Sequence, residues 1–302
     1  MAVRVEKFVP SWMGRFVATM LEFTTPRNSR VRCRWLRDPE LTEGSEACIF
    51  VTYAPNGNVA EYSRFHARAW AEAGFSVILV VNTDTFEPVE MDDLDFASGV
   101  LVRDNRGYDF GAWATALQQV SGIRVASLVA LINDSIYGPL DTFGQMLTRV
   151  RAIDADVIGT TESSECGRHF QSYLLFFKKG ALNSDVFWRF WRRVRAGGRI
   201  VAISRYEVRF VREMERAGLR CVALFKSTDG RNPTLTRWRE LIGEGLPYLK
   251  VALLRDNPCN ADLSGWDDVL RDHGYDPALA TRHGTYRVPT SKSFTASAEP
   301  NG

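Results

Sequence analysis

The chain has 302 residues, of which 45% are hydrophobic and 25% are charged, and its formal net charge at pH 7 is +2. This composition is ordinary for a soluble globular protein with a sizeable core, and so small a net charge argues against a nucleic-acid partner. The five cysteines lack the close spacing of a zinc or redox site, and no apolar run approaches the ~18–20 residues of a membrane span. We therefore expect a cytoplasmic protein without a transmembrane segment.

The first periodic segment predicts an amphipathic helix over residues 11–23, with Trp12, Phe16 and Leu21 on its apolar face. Basic residues surround it, so residues 1–45 are interpreted as a basic amphipathic segment. The helix either docks on the protein's own core or makes peripheral contact with the inner face of the plasma membrane. The docked helix is favoured, because its polar face carries little positive charge of its own.

From residue 46 onwards, predicted strands and helices alternate. Such alternation indicates a mostly parallel sheet flanked by helices. We predict this α/β domain over 46–258, a helical extension with a short helix near Trp266 over 259–287, and a disordered tail over 288–302. Apolar runs predict strands at 47–53, 75–81, 100–102, 125–132, 156–159, 171–177 and 220–225, and helical patterns predict helices at 59–73, 110–120, 187–195, 207–217 and 237–242.

The polar turn over residues 105–111 is the first candidate binding site, because ligands of open α/β sheets bind outside the carboxyl ends of strands. Gly107 permits a positive φ angle, and Gly111 lets another group approach the helix. The amides that start the helix suit a phosphate. The chain lacks both GxGxxG and GxxxxGK[ST], which weighs against nicotinamide-dependent and P-loop enzymes. The alternative is an ordinary turn with Asp109 as the helix N-cap.

Acidic side chains follow several predicted strands. Asn133, Asp134 and Ser135 come directly after a buried strand, where a carboxylate could hold a divalent metal. Mg²⁺ typically takes one or two carboxylates together with phosphate oxygens. The alternative is that Asp134 caps the turn that follows. Asp84 and Glu162 also stand at strand ends, where acids are often only helix caps.

A third polar stretch contains His169, Gln171 and Ser172, just before or within a predicted strand. A lone histidine is more often structural than catalytic, and no Ser-His-Asp or Cys-His ordering supports a hydrolase. We expect these three residues on the acceptor side of a binding crevice.

Five segments together resemble the glycosyltransferases of the rhamnan synthesis protein F family. They are RDNRGYDFGAW, LINDSIYGP, QSYLLFF, YEVRFVREMERAG and NPTLTRWRELI…PYLKVALLRDNP, within residues 48–258. The resemblance implies a GT-A-like fold that transfers a sugar, rhamnose or similar, from a nucleotide diphosphate sugar onto a cell-surface polysaccharide or lipopolysaccharide. The implied acceptor is a lipid-linked or nascent glycan. The alternative function is a non-catalytic nucleotide-sugar-binding or assembly subunit.

The resemblance also implies roles for single residues. Asp84 corresponds to the acid that meets the base or ribose, and NDS stands where a DxD metal motif is usual. Because Asn133 replaces the first acid, only Asp134 is left as a direct ligand for Mg²⁺ or Mn²⁺; Arg103 or Arg106 could neutralise the diphosphate instead. The expected donor site consists of Tyr53, Asp84, Arg103, Asn105, Gly107, Asp109, Gly111, Asn133, Asp134 and Ser135.

Glu207 is the expected catalytic base. The resemblance implies a base at the start of a helix that ends in a glycine, and Glu207 opens the predicted helix that Gly218 closes. Such a base takes the proton of the attacking acceptor hydroxyl. Glu162 is the competing candidate. The alternative for Glu207 is a first-turn acid favoured by the helix dipole, or an ion-pair partner of a neighbouring arginine.

Overall fold

A computed structural model describes residues 28–86, 89–165, 167–198 and 202–284 of the chain. The predicted helix over 11–23 and the predicted tail over 288–302 lie outside these residues. Within the described ranges, no helix is both long and apolar enough to cross a membrane.

Strands and helices alternate through most of the described chain. The strands are β1 (Cys33–Arg37), β2 (Glu46–Tyr53), β3 (Ser76–Thr83), β4 (Gly99–Asp104), β5 (Leu128–Asn133), β6 (Ile136–Tyr137), β7 (Val157–Ser163), β8 (His169–Phe170), β9 (Leu174–Lys178), β10 (Cys221–Phe225) and β11 (Leu249–Lys250). The α-helices are α1 (Glu61–Glu72), α2 (Tyr108–Gln119), α3 (Phe143–Ala152), α4 (Lys179–Leu182), α5 (Asp185–Arg193), α6 (Val208–Arg216), α7 (Pro233–Thr236), α8 (Trp238–Gly243), α9 (Val251–Arg255), α10 (Trp266–Asp272) and α11 (Pro277–His283).

Nine strands form one mixed, mostly parallel sheet, in the order β1-β4-β3-β2-β5-β9-β7-β10 with β8 paired to β7. Strands β2 to β5 run parallel to their neighbours within that group, and β7 and β10 are also parallel to each other. Within this sheet, β1 pairs antiparallel with β4, β8 with β7, and β9 with both β5 and β7. The predicted fold class is confirmed: a mostly parallel sheet flanked by helices.

The two faces of the sheet are covered by different helices. In β2, Ile49 and Val51 face the cluster that includes α2, α5 and α6, whereas Cys48 and Phe50 face the cluster that includes α1 and α3. Successive strand residues point to opposite faces, so a strand covered on both faces is apolar throughout. This is why 47–53 is a continuous apolar run rather than an alternating one.

Several elements differ from the sequence prediction. The strand predicted over 171–177 begins at Leu174, and before it the Gln171 side chain accepts a hydrogen bond from Thr161 Oγ1. The helix predicted over 207–217 begins at Val208, after a π-helical turn over Ala202–Glu207. Strand β1 was not predicted: it lies within the basic N-terminal segment and pairs with β4.

The predicted C-terminal extension contains the helices α10 and α11. Trp266 is fully buried, as is Tyr137, and both belong to a third cluster that joins the C-terminal helices to the short β6–β11 ribbon. This packing also holds β11, the strand that ends in Lys250, a residue of the candidate site described below.

Candidate functional site

The carboxyl ends of β2 and β5 form the centre of the candidate site. From β2 the chain proceeds through β3 to β4 on one side, and then returns to β5 on the other side of β2. Ligands of open α/β sheets bind at such a switch point. Asp134 bridges the two strands here, since its Oδ2 accepts hydrogen bonds from Thr52 Oγ1 (2.8 Å) and from the Tyr53 amide (2.8 Å).

The turn over 105–111 enters α2 through Gly107, which has φ 81° and ψ 12°. A Cβ atom on Gly107 would lie 2.8 Å from Ala196 Cα, and one on Gly111 would lie 2.9 Å from the Arg106 carbonyl oxygen. Both glycines are therefore required by backbone geometry. Gly107 is the N-cap residue and no side chain caps the helix, so Asp109 does not have the capping role that was the alternative.

Arg103 supports this turn from below. Its side chain is fully buried, and its guanidinium group donates to Asn82 Oδ1 (2.7 Å), to the Arg106 carbonyl (2.8 Å) and to Asn28 Oδ1 (3.4 Å). Burial lowers its pKa to about 10. Its Nε atom is buried without a hydrogen-bond partner among the described residues, and the expected contact of Arg103 with the donor diphosphate stays a prediction. Arg106 is exposed.

Tyr53, Asp84 and Asn105 form an exposed outer cluster. Asp84 accepts a hydrogen bond from the Tyr53 hydroxyl through one carboxylate oxygen and from Asn105 Nδ2 (3.3 Å) through the other. The hydrogen bond to Asp84 raises the pKa of Tyr53. Since the Tyr53 amide also binds Asp134, this residue connects the outer cluster to the centre of the crevice.

Asp109, Asn133, Asp134, Ser135 and Lys250 form an inner cluster. Asn133 Nδ2 donates to Asp109 Oδ2 (2.7 Å), and Asn133 Oδ1 accepts from the Ser135 amide (3.1 Å) and hydroxyl. Lys250 Nζ donates to Ser135 Oγ (2.9 Å). Asp109 thus supplies, from the preceding turn, a second carboxylate beside Asn133, the residue that replaces the first acid of the motif.

Sequence reasoning missed Lys250. Its ammonium group lies 4.5 Å from the centre of the Tyr173 ring, and β11 positions it by pairing with β6, where Lys250 is opposite Ile136. The only signal available was a single lysine within the apolar stretch PYLKVALL. An isolated charge among apolar residues is seldom buried without a partner, so that lysine could have been singled out.

The charges of the inner cluster perturb one another. Burial and the nearby Asp134 raise the pKa of Asp109 to about 6. Burial also raises the pKa of Asp134, against the opposing effect of its hydrogen bonds from Tyr53 and Thr52. Burial lowers the pKa of Lys250 to about 8, although Glu207, Asp109 and Asp134 all favour its charged form. Such clusters of shifted ionisable groups are typical of functional sites.

Glu207 ends the π-helical turn and belongs to the same electrostatic environment as Lys250 and Asp109. Its Oε1 accepts a hydrogen bond from the Ser172 amide (3.1 Å). π-Helical turns occur frequently at functional sites. The structure therefore brings together Glu207, Ser172 and the inner cluster, which lie far apart in the sequence.

The remaining predicted residues are engaged elsewhere. Glu162 forms an ion pair with Arg168 (3.1 Å). The Gln171 side chain is buried and accepts a hydrogen bond from Thr161 Oγ1 (3.0 Å), while His169 is buried with Nδ1 2.8 Å from the Gly167 carbonyl oxygen. Of the three expected acceptor-side residues, only Ser172 contacts Glu207.

Within the described ranges, no three His, Cys, Asp or Glu side chains are arranged to hold a metal ion. The inner cluster nevertheless fits a hard cation in its chemistry. Its oxygen donors are two carboxylates, Asp109 and Asp134, and Mg²⁺ is commonly bound by one or two carboxylates plus phosphates.

The family comparison agrees with the motifs. The profile described as rhamnan synthesis protein F matches residues 77–290, well over half of the chain. The chain belongs to the rhamnan synthesis protein F family. The resemblance predicted from the five segments is thereby confirmed.

The individual proteins that this chain resembles share less than 30% sequence identity with it. Virulence protein VirA of Vibrio anguillarum is 28% identical over 204 residues, which cover 55% of this chain and 66%, just under two thirds, of VirA. A mannosyltransferase of Pyrobaculum calidifontis, solved with GDP-Man and Mn²⁺, is 12% identical with a TM-score of 0.35, covering 77% of this chain and 70% of that chain. A glycosyltransferase involved in glycosylation of the major capsid of PBCV-1 is 11% identical with a TM-score of 0.37, covering 68% and 94%.

Proposed function

We propose that this protein is a glycosyltransferase that moves a sugar, rhamnose or similar, from a nucleotide diphosphate sugar onto a growing cell-surface polysaccharide or lipopolysaccharide. The proposal rests on the inner cluster at the switch point of the sheet and on Glu207, which acts electrostatically on Asp109 and Lys250 of that cluster. The family's motifs contain both the cluster and Glu207. The acceptor is a lipid-linked or nascent glycan, and the protein works in the cytoplasm.

The order of the clusters suggests how the donor lies. The outer cluster of Tyr53, Asp84 and Asn105 offers hydrogen-bond partners to a nucleoside, and the helix amides after Gly107 suit the diphosphate. The sugar then lies toward Lys250 and Glu207. The GT-A-like arrangement expected from the resemblance has this same sequence of nucleoside, diphosphate and sugar.

Charge supports a divalent cation at this site. Asp109, Asp134 and Glu207 contribute three negative charges when ionised, and Lys250 contributes one positive charge, which leaves −2 before a negatively charged diphosphate arrives. Like charges brought together at short range repel strongly unless they are neutralised. Mg²⁺ or Mn²⁺ held by Asp134 and Asp109 would supply that neutralisation and make the diphosphate a better leaving group.

Glu207 is the proposed general base. In a direct displacement, its carboxylate takes the proton of the acceptor hydroxyl while the acceptor oxygen bonds to the anomeric carbon. The bond from that carbon to the diphosphate breaks, and the nucleoside diphosphate leaves. The hydrogen bond from the Ser172 amide holds the carboxylate in place, whereas the rival Glu162 is engaged by Arg168.

A panel of nucleotide sugars tested for protection against thermal unfolding identifies the donor, because a ligand stabilises the folded state by mass action. Turnover of that donor is then measured in Glu207→Gln, with Glu162→Gln as the matched control. General-base assistance contributes roughly 10²–10⁴-fold in rate, so Glu207→Gln should lose that much while it still binds donor. Protection without any turnover would favour the non-catalytic subunit, and no protection by any nucleotide sugar would refute the proposal.

A further inference from the structure

The main chain at Asp134, between β5 and β6, is held by a residue of helix α1. The Asp134 amide donates a hydrogen bond to the Val51 carbonyl of β2 (3.1 Å). The Asp134 carbonyl accepts a hydrogen bond from the hydroxyl of Tyr62 (3.0 Å), a buried residue of α1. Strand β5 ends at Asn133, so the hydroxyl of Tyr62, and not a strand partner, fixes the peptide group that follows Asp134.

The next residue of α1 supports the Asp134 carboxylate. Its Oδ2 accepts the hydrogen bonds from Thr52 Oγ1 (2.8 Å) and from the Tyr53 amide. Thr52 Oγ1 also lies 3.3 Å from Oγ of Ser63, which is fully buried. A hydroxyl has one hydrogen, and Thr52 gives it to Asp134 at the shorter distance, so Ser63 donates to Thr52. Within the described ranges, no side chain donates to the other oxygen, Oδ1, which leaves Oδ1 for a ligand.

Tyr62 is itself held by the C-terminal helix α11. The centre of the His283 ring lies 4.1 Å from the centre of the Tyr62 ring, at an angle of 38°. His283 Nδ1 is 2.8 Å from the hydroxyl oxygen of Tyr137, whose ring centre is 5.3 Å from that of Tyr62. An ion pair between Arg282 and Glu61 (2.9 Å) joins the same two helices. The neighbouring rings therefore restrict the direction in which the Tyr62 hydroxyl points.

Packing alone would explain a buried tyrosine whose hydroxyl has found a partner. It would not explain why two consecutive residues of one helix support both the carbonyl and the carboxylate of the same aspartate. A functional group has to be held within about 0.5 Å of its productive position. Carboxylates that bind metal ions are usually held by hydrogen bonds of this kind, and loss of such a partner typically costs about 10–100-fold in metal affinity or activity.

We propose that Tyr62 is a positioning residue that, together with Ser63, presents the Asp134 carboxylate to the donor diphosphate and to the cation bound with it. Tyr62 acts through the Asp134 carbonyl and Ser63 acts through Thr52, so neither residue has to touch the substrate. The C-terminal helix contributes through His283, which keeps the Tyr62 ring in place. This inference rests on the proposed function, because it assigns how the donor side of that site is held.

The test measures nucleotide binding by the full chain. UDP, dTDP and GDP are each added with Mn²⁺, and the nucleotide that raises the wild-type midpoint of thermal unfolding most is the probe. Tyr62→Phe removes only the hydroxyl that binds Asp134. Tyr275→Phe is the matched control: it removes the same atom from a tyrosine of the same hydrophobic cluster, one that packs against Phe65 of α1.

The affinity of Tyr62→Phe for the probe should fall about 10–100-fold, and the Mn²⁺ concentration that gives half of the protection should rise. Ser63→Ala should change both quantities in the same direction but by less, because Ser63 reaches Asp134 only through Thr52. Tyr275→Phe should bind the probe as wild type does.

A tyrosine with only a structural role would lower the unfolding midpoint without nucleotide and leave nucleotide affinity unchanged. That result for Tyr62→Phe would overturn the inference, and so would equal losses of affinity in Tyr62→Phe and Tyr275→Phe. Failure of the proposed function would appear differently, as a wild type that no nucleotide and no nucleotide sugar protects.

The contribution of α11 is tested in the same assay. His283→Ala removes the ring stacked on Tyr62 and should weaken binding of the probe. Arg282→Gln breaks the ion pair between α11 and α1 but leaves the rings in place, so it should bind the probe as wild type does. Equal affinities in these two variants would overturn the role assigned to His283.

Discussion

Replacement of Asp109 by Asn should stabilise the fold at neutral pH while it impairs the site. The Asp109 side chain is partly buried, and burial together with the like charge of Asp134 raises its pKa from an ordinary 3.8 to about 6. At roughly 1.36 kcal/mol per pH unit, that rise corresponds to a destabilisation of about 3 kcal/mol when the group is ionised. The substituted amide keeps an oxygen that can accept the hydrogen bond from Asn133, so removal of the charge is the main change.

The sign of the pH dependence follows from proton linkage. Below about pH 4 the carboxyl is protonated in both the folded and the unfolded chain, and it contributes no penalty. As the pH rises toward 6, the unfolded chain releases its proton while the folded chain retains it, so folding stability falls with pH. Above about pH 6 the full penalty is present. The stability gained by Asp109→Asn should therefore increase from pH 4 to pH 6.5 and then remain level.

The assay is equilibrium unfolding by urea at pH 4.5, 5.5, 6.5 and 7.5, with the free energy of unfolding compared between wild type and variant at each pH. Asp92→Asn is the control, because Asp92 is exposed in a loop and surface substitutions usually change stability by less than ~0.5 kcal/mol. The comparison is a difference between two proteins at one pH, so titration of carboxylates that do not interact with Asp109 cancels.

The reasoning is wrong if Asp109→Asn is less stable than wild type at pH 7.5, or if its gain does not change between pH 4.5 and 6.5. Either result would mean that the surroundings of Asp109 do not disfavour the ionised form of its carboxyl group. A variant that is more stable and also less active would show that the charge is retained for function, at a cost in stability.

Three further outcomes are expected. Gly107→Ala should destabilise the fold by roughly 1–2 kcal/mol or more, because an L residue is strained at φ 81° and its Cβ would meet Ala196; wild-type stability in urea would contradict this. Lys250→Met should cost roughly 1.5–3 kcal/mol, because it removes the charge-assisted hydrogen bond from Lys250 Nζ to Ser135 Oγ, whereas the exposed Lys226→Met should cost almost nothing; equal effects on urea unfolding would refute the role of Lys250. Chelation by EDTA should abolish sugar transfer and Mn²⁺ should restore it, and full transfer in EDTA would leave Asp134 with a metal-free role.

Local sequence patterns were sufficient for most of the longer strands of the central sheet. The strands over 46–53 and 76–83 have apolar centres because both faces are covered, and this pattern can be recognised without knowing the neighbouring strands. The helix after the glycine turn was also predictable, since Gly107 and the apolar pattern that follows it are local features. The family motifs identified the same turn and the NDS segment, and the profile match confirmed the family.

The sequence by itself thus determined the longer strands and helices of the central sheet, the glycine turn and the family, because each depends on residues within about one turn or one strand of one another. The tertiary structure decided what those residues face. Only the sheet order places β2 between β3 and β5, so that Tyr53 and Asp134 meet across 81 positions. The β6–β11 pairing places Lys250 beside Ser135, 115 positions away in the sequence. The burial of Arg103, which the sequence does not indicate, shows that its side chain supports the turn from inside the protein. Local periodicity cannot encode such contacts, because they arise when distant segments compete to bury the same apolar surface.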